Sequence, residues 1–260
     1  MFTDERRDKI LELLQTDGRV LARDLADLFD MSIDSIRRDL TIMEEKGLLK
    51  RTHGGAIPAT KVRSAPLPSA LRYQEPSLQQ QAIAKYAASL IQEKDTVYIG
   101  SASIHHAMIQ FLPDLSFTIV TNSIKVADAL KDKESIDVYL VGGKVKNSGS
   151  ITDALAYTFM KQFTLDKCFI TGGGISKNGI STSTPEVASL GSAVVEISRK
   201  TICLASHEKL GIDSFVKVVP ITAIDLLITS NEASIEAMEE IESRGVKVII
   251  TNTHEVKEKE

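Results

Sequence analysis

The sequence predicts an α/β chain in two parts, an N-terminal winged helix-turn-helix and a larger domain built on a mostly parallel sheet. Residues 1–57 hold three short helical patterns followed by a basic hairpin pattern. From residue 77 to about residue 255, short β-branched runs alternate with helical stretches, as expected of strands joined by crossover helices. Between the two, residues 58–76 hold Pro58, Pro66, Pro68 and Pro76 among small polar residues, which reads as a linker.

Composition narrows the class. With 43% hydrophobic and 25% charged residues, the chain reads as an ordinary soluble globular protein. No apolar run reaches the roughly 18 residues of a membrane-spanning helix, and the opening MFTDERRDKI has no apolar run behind its charges, so no secretory signal is expected. Cys168 and Cys203 each sit in an apolar run without metal-ligand spacing. They are expected to be reduced core residues in a cytoplasmic protein. The net charge is −4, yet from Lys46 through Gln74 there are six bases (Lys46, Lys50, Arg51, Lys61, Arg63, Arg72) and no acid. A local basic strip of this kind is the electrostatic footprint that a DNA reader requires.

The N-terminal elements follow in order. Thr3 is placed to cap a helix carrying Ile10, Leu13 and Leu14, with Gly18 as its stop. A second helix is expected around Ala22–Phe29, then a turn at Asp30-Met31-Ser32, with Ser32 capping a third helix. In that helix Ile33, Ile36, Leu40 and Met43 form the buried face. At about 100° per residue, Asp34, Arg37, Arg38 and Thr41 project together on another face. Leu48 to Ile57, with Gly54-Gly55 between two extended runs, reads as a β-hairpin. A helix-turn-helix with such a hairpin is a winged helix, whose third helix enters the major groove of double-stranded DNA. Ser32, Asp34, Ser35, Arg37, Arg38 and Thr41 are the candidate reading residues. Lys50, Arg51, His53 and Gly54 are candidate wing contacts, with the bases serving phosphates. Asp39 lies on the helix flank and is read as an intramolecular partner for an arginine.

The second domain opens with a helical stretch, Leu78–Ile91. Strand patterns follow at 96–100, 117–122, 137–143, 168–173, 201–206, 226–230 and 246–251. Helical segments fill the gaps, around Ile104–Phe111, Ile124–Leu130, Thr152–Phe163, Pro185–Arg199 and Ala233–Ser243. Several strand patterns end in small or polar residues: Gly100-Ser101, Thr121-Asn122-Ser123, Gly142-Gly143 and Ser206-His207. Open α/β sheets bind ligands at the carboxyl ends of their strands, so these ends mark the expected ligand rim. His105-His106 does not read as a metal site, because adjacent helical residues diverge and no further ligand lies at a suitable spacing. Gly172-Gly173-Gly174 lacks the dinucleotide fingerprint and reads as a tight backbone approach. No cofactor is expected.

The two halves together resemble the DeoR family of bacterial transcriptional regulators. Glu5-Arg6, Ile10 and Leu13-Leu14 match the start of the family pattern, and MSIDSIRRDLTIMEEKGLLKRTHGGA (residues 31–56) matches its core over a long stretch. In the second half the matches are Thr121-Asn122-Ser123, Gly142-Gly143, Asp166-Lys167, Gly174, Gly179, Glu186 and Lys209. The resemblance implies a sensor domain similar to ribose-5-phosphate isomerase in fold, with a phosphorylated sugar as effector. Three departures stand out. The family's Asp-Ser-Gly-Thr-Thr-Thr is here Gly100-Ser101-Ala102-Ser103-Ile104-His105. Its Asp-x-Ser-Lys-Phe-Gly is Ser206-His207-Glu208-Lys209-Leu210-Gly211, and Asp153 stands in place of a glycine. These imply an altered ligand chemistry or a weakened site.

The expected effector residues are Ser101, Ser103, Thr121, Asn122, Ser123, Gly142, Glu186 and Lys209. Lys209 is the phosphate partner, and Thr121-Asn122-Ser123 supply groups for the sugar. The leading reading is a non-enzymatic regulator, a repressor of sugar metabolism or transport genes, acting as a homo-oligomer (dimer or tetramer) on a DNA operator. Two alternatives stand beside it. One is an isomerase-like enzyme with Asp153, Glu186 and Lys209 as acid–base groups. The other is a ligand-independent DNA-binding regulator with a degenerate sensor.

Overall fold

The computed structural model describes residues 3–17, 19–45, 48–58 and 76–252. The chain divides into two compact units, Met1–Val62 and Arg63–Glu260. In the first, α1 (Thr3–Asp17), α2 (Ala22–Phe29) and α3 (Ile33–Glu45) pack around Ile10, Leu14, Leu25, Ile36, Leu40 and Met43. Thr3, expected to cap α1, is its first helical residue, and the expected stop Gly18 lies outside the described residues. α2 ends where Asp30 turns left-handed at φ 50°, a conformation that aspartate tolerates better than most residues. Ser32 Oγ then accepts from the Ser35 N–H at 3.2 Å and caps α3.

Ile33 departs from expectation: it is 40% exposed, whereas Ile36, Leu40 and Met43 are buried. The reason lies with Asp39, which is buried and accepts from two arginines of α1. Arg6 Nη2 is 2.6 Å from Asp39 Oδ2, and Arg7 Nη2 is 2.8 Å from Oδ1. The buried arc of α3 is thereby turned toward Asp39, and Ile33 is left at its opposite edge.

The wing has three strands rather than the two expected. β1 (Val20–Leu21) pairs with β3 (Gly55–Pro58), which pairs in turn with β2 (Leu49–Thr52). Thr52 lies opposite Gly55, so the turn is His53-Gly54. Gly55 sits so close to β1 that a Cβ there would lie 1.8 Å from the Val20 carbonyl oxygen, and only glycine fits. Pro58, expected to begin the linker, is instead the last residue of β3, opposite Leu49. Linker residues 59–75 lie outside the described residues.

In the second unit α4 (Leu78–Ala88) starts where Ser77 Oγ accepts from the Gln80 N–H at 3.2 Å, and it is shorter than expected. All seven expected strands form one parallel sheet. They are β4 (Thr96–Ile99), β5 (Phe117–Thr121), β6 (Ile136–Leu140), β7 (Lys167–Ile170), β10 (Thr201–Leu204), β12 (Leu226–Ser230) and β13 (Lys247–Thr251). Their order is β13-β12-β10-β7-β4-β5-β6. Alternate residues serve opposite faces. Val97, Ile99 and Ile119 pack with α4, α5 (Ser103–Met108) and α6 (Ile124–Leu130). Tyr98, Val120 and Cys168 pack with α7 (Ala154–Met160) and α8 (Pro185–Glu196), and Cys203 and Leu227 with α9 (Ile235–Glu242). Both cysteines are buried and unbridged, and burial pushes the Cys203 thiol up to about 12. A second, antiparallel sheet was not foreseen: β8 (Gly174–Ser176), β9 (Gly179–Thr182) and β11 (Val216–Val219), in the order β11-β9-β8.

The chain runs β4, β5, β6 toward one edge, then returns to place β7 on the other side of β4 and builds outward to β13. The strand order therefore reverses between β4 and β7. That reversal opens a crevice at their carboxyl ends.

Asp39→Asn should leave two guanidinium groups buried beside a neutral amide. Breaking a buried ion pair by removing one partner costs roughly 3–5 kcal/mol. The expected outcome is faster amide exchange throughout α1 and α3, with protection in the second unit unchanged.

Candidate functional site

Two surfaces carry functional chemistry. The first is the exposed face of α3. Asp34, Arg37, Arg38, Thr41 and Ile42 border one shallow depression. The Arg37 guanidinium lies 3.3 Å from Asp34, an exposed i,i+3 pair. Such pairs contribute little stability, so a phosphate or base edge can displace the carboxylate. Ser35 is half-buried, its Oγ 2.9 Å from that of Ser32. Arg38, Lys50, His53 and Gly54 are exposed. Arg51 is held against α3: its Nη1 donates to Thr41 Oγ1 at 2.8 Å, and its backbone N–H donates to Glu44 Oε1 at 2.7 Å. Thr41 in turn donates to the Arg37 carbonyl at 2.8 Å. The wing and the third helix thus form one surface. Glu44, which joins them, lies within the matched stretch 31–56 but was not among the expected site residues.

The second surface is a cavity of about 400 Å³ at the β4/β7 reversal. Of the expected effector residues, Ser101, Ser103, Asn122 and Lys209 line it. Thr121, Ser123, Gly142 and Glu186 do not. Thr121 is buried with its Oγ1 accepting from the Ser123 N–H at 3.1 Å, and Ser123 Oγ caps α6 by accepting from Val126. Gly142 is exposed beyond the edge strand β6, and Glu186 is exposed in the first turn of α8. Asp153 caps α7 and accepts from the Ala156 and Lys144 N–H groups at 3.4 and 3.2 Å, so its carboxylate serves the backbone.

Other lining residues went unrecognised in the sequence. The hydroxyl run Thr182-Ser183-Thr184 starts at the last residue of β9, Lys146, Ser148 and Ser150 come from the loop after β6, and Gln80 from the first turn of α4. The density of hydroxyls in residues 181–184 was the one available signal. Asn122 is fixed from both ends. Its Oδ1 accepts from the Tyr98 hydroxyl at 2.9 Å, and its Nδ2 donates to the Ile151 carbonyl at 2.9 Å. Burial pushes the Tyr98 phenol up, which keeps it a neutral donor.

The altered Gly100–His105 loop has a physical logic. The His105 ring lies over Gly100, where a Cβ would be 2.8 Å from Nδ1 and 3.0 Å from Cε1. His105 Nδ1 accepts from the Ala102 N–H at 3.4 Å. Burial, then the nearby Lys209 ammonium, push the imidazole down to about 3, so it is neutral at physiological pH. The side chain that position 100 lacks is replaced in space by the one that position 105 carries. Likewise, the acid missing at Ser206 has a counterpart two residues on: Ser206 Oγ donates to the Glu208 carboxylate, which lines the cavity.

Four buried polar atoms of lining residues find no hydrogen-bond partner within the described chain: His105 Nε2, Thr152 Oγ1, Thr171 Oγ1 and Ser214 Oγ. Leaving a buried polar group unsatisfied costs roughly 1–3 kcal/mol. All four atoms are closed off from the cavity space itself, so they mark a tightly packed polar wall rather than contacts open to a ligand.

Residues 6–62 match the family model described as a DeoR-like helix-turn-helix domain, and residues 76–231 match the DeoR C terminal sensor domain. The chain belongs to the DeoR family. Among its relatives there, the HTH-type transcriptional repressor GlcR of Bacillus subtilis (strain 168) is 32% identical over 259 residues, covering 99% of this chain and 100% of that protein. The lactose phosphotransferase system repressor of Lactococcus lactis subsp. lactis is 28% identical over 247 residues, covering 92% of this chain and 96% of its own length. Ribose 5-phosphate isomerase A of Methanocaldococcus jannaschii overlaps 50% of this chain and 52% of its own, at 12% identity and a TM-score of 0.37. The fold of this DeoR-family sensor unit is defined by its own strand order rather than by that partial overlap. No helix among the described residues is long and apolar enough to cross a membrane.

Two outcomes are expected at His105. Gly100→Ala should destabilise the second unit by about 1–3 kcal/mol through overpacking, and adding His105→Ala should recover much of that loss in thermal unfolding. The second concerns acid. Because the folded-state imidazole titrates near 3 rather than 6.5, the unfolded chain binds an extra proton between those values. Stability is therefore lost on acidification through that window. His105→Gln should flatten this part of the stability profile between pH 6.5 and 4, measured by urea denaturation.

Proposed function

We propose that the chain is a sequence-specific DNA-binding transcriptional repressor of sugar metabolism or transport genes, and that a phosphorylated sugar or related metabolite occupies the cavity and controls it. The observation that carries this reading is the hydroxyl-rich cavity at the strand-order reversal, with two lysines on its wall, in a DeoR-family chain. A phosphate suits the ammonium groups of Lys146 and Lys209, and the sugar suits the hydroxyls and Asn122. Relatives named as repressors of sugar-related systems support the same direction.

The reader is α3 with its wing. Arg38 is exposed and its side chain makes no hydrogen bond or ion pair with another described residue, and Arg37 needs only to release Asp34. Arginine reads guanine bidentately in the major groove, and wing bases hold phosphates. Operator half-sites call for paired heads, so the acting species is a homo-oligomer on double-stranded DNA in the cytoplasm. Control requires that the effector favour one arrangement of those heads, since only differential affinity shifts an equilibrium.

The acid–base set named for turnover is not assembled: Asp153 is occupied as a helix cap and Glu186 faces solvent, so of the three only Lys209 lines the cavity.

Lys209→Ala and Ser103→Ala are each expected to weaken effector binding at least tenfold while leaving ligand-free operator binding intact, since a charge-assisted hydrogen bond is worth roughly 1.5–3 kcal/mol. A thermal-shift screen of phosphorylated sugars followed by operator mobility shift measures both. Arg38→Ala should cost about 1–3 kcal/mol of operator affinity and relax preference at one base pair. Unchanged operator preference in both Arg37→Ala and Arg38→Ala would remove α3 as the reader.

A further inference from the structure

Glu208 carries the one carboxylate among the described residues that line the cavity, where the cations are Lys146 and Lys209. Its carboxylate is half-buried and fixed by the Ser206 hydroxyl. Glu208 belongs to a short 3-10 turn, His207–Lys209, whose successive side chains diverge by about 120°. His207 lies 3.1 Å from Glu232, which accepts in turn from Gln79. Glu208 and Lys209 both line the cavity and present opposite charges to it.

We propose that Glu208 is the selectivity residue of this cavity. It accepts from a hydroxyl of the ligand and excludes a second anionic group, so that the effector is a polyhydroxylated monophosphate and not a bisphosphate. This rests on the sugar-phosphate reading above. An ionised carboxylate only accepts hydrogen bonds, so whatever lies against it must donate. A sugar hydroxyl does so, whereas a phosphate brings like charge into a partly desolvated space. With Lys146 and Lys209 both given to the one phosphate, the neutral His105 adds no further cation to offset a second. Lys209 draws the single phosphate and Glu208 then orders the ligand's other end. Seryl support from Ser206 keeps the carboxylate turned to that task.

The test titrates the full chain by calorimetry with glucose 6-phosphate, fructose 1-phosphate, fructose 6-phosphate, glycerol 3-phosphate and fructose 1,6-bisphosphate. The parent protein should bind at least one monophosphate roughly tenfold or more tighter than the bisphosphate. Glu208→Gln preserves the size of the side chain and an acceptor for Ser206, and should lower that ratio at least tenfold, whereas Glu208→Asp should keep it. A merely structural role would weaken all ligands alike and leave the ratio unmoved, which would overturn the assignment, as would a parent that takes the bisphosphate as tightly. Binding of none of the five would overturn the sugar-phosphate reading itself, and the role of Glu208 with it.

Discussion

A parallel sheet must bury both faces, and that constraint governs the second unit. Each strand of the seven returns to the same end through a crossover, so the chain leaves every strand at one rim. Helices α4 to α6 cover one face and α7 to α9 the other. Once the order reverses between β4 and β7, neighbouring crossovers depart to opposite faces and nothing in the sheet fills the gap between them. Ser101, Asn122, Thr171 and Lys209 come from four different strand ends, yet they meet on this gap. The cavity follows from topology before any side chain is chosen.

The first unit is governed differently, because so small a body has little apolar area to hold α3 in place. The Asp39 ion triad supplies what packing alone does not: direction. Two guanidinium groups from consecutive positions of α1 converge on one carboxylate, which fixes the rotation of α3 about its axis as well as its position. With Asp39 turned inward, Arg38, about 100° away around the helix, is turned outward. Arg51 then closes the other side through Thr41 and Glu44. The reading surface is thus oriented by buried charge on one flank and by a wing contact on the other.

What was legible in the sequence follows from how local each signal is. Runs such as TVYI and FTIVT are β-branched and short because both faces are buried, so all seven sheet strands could be read. Val20-Leu21 forms a strand only because Gly55 allows close approach from 35 residues away, and no local pattern records that. β8, β9 and β11 are also short, and as a sheet they join one another rather than the seven parallel strands. In the cavity, Ser101, Ser103, Asn122 and Lys209 were readable because they follow strands. Lys146 was not, because it comes in on a loop whose own pattern is silent, and Thr182 was not, because it ends a strand of the second sheet, which only long-range pairing defines. Thr121, Ser123 and Glu186 show the reverse case. Polar residues at strand and helix ends are as often caps as ligands, and here Thr121 and Ser123 satisfy backbone N–H groups.

The departures from the family pattern gain meaning once they are taken in pairs. Gly100 without His105 would leave a hole at the end of β4, and His105 above any larger residue at position 100 would overpack it. Ser206 without Glu208 would leave the rim of β10 without an acid, whereas together they hold a carboxylate on the cavity wall. In each pair one residue gives up what its neighbour takes on. Random erosion has no reason to be reciprocal, since most single substitutions in a packed site simply destabilise it. The acid of the family pattern at residue 100 has no replacement, its place being taken by a neutral imidazole, whereas the acid at the end of β10 is kept in the form of Glu208, so the cavity's negative charge lies at that rim alone.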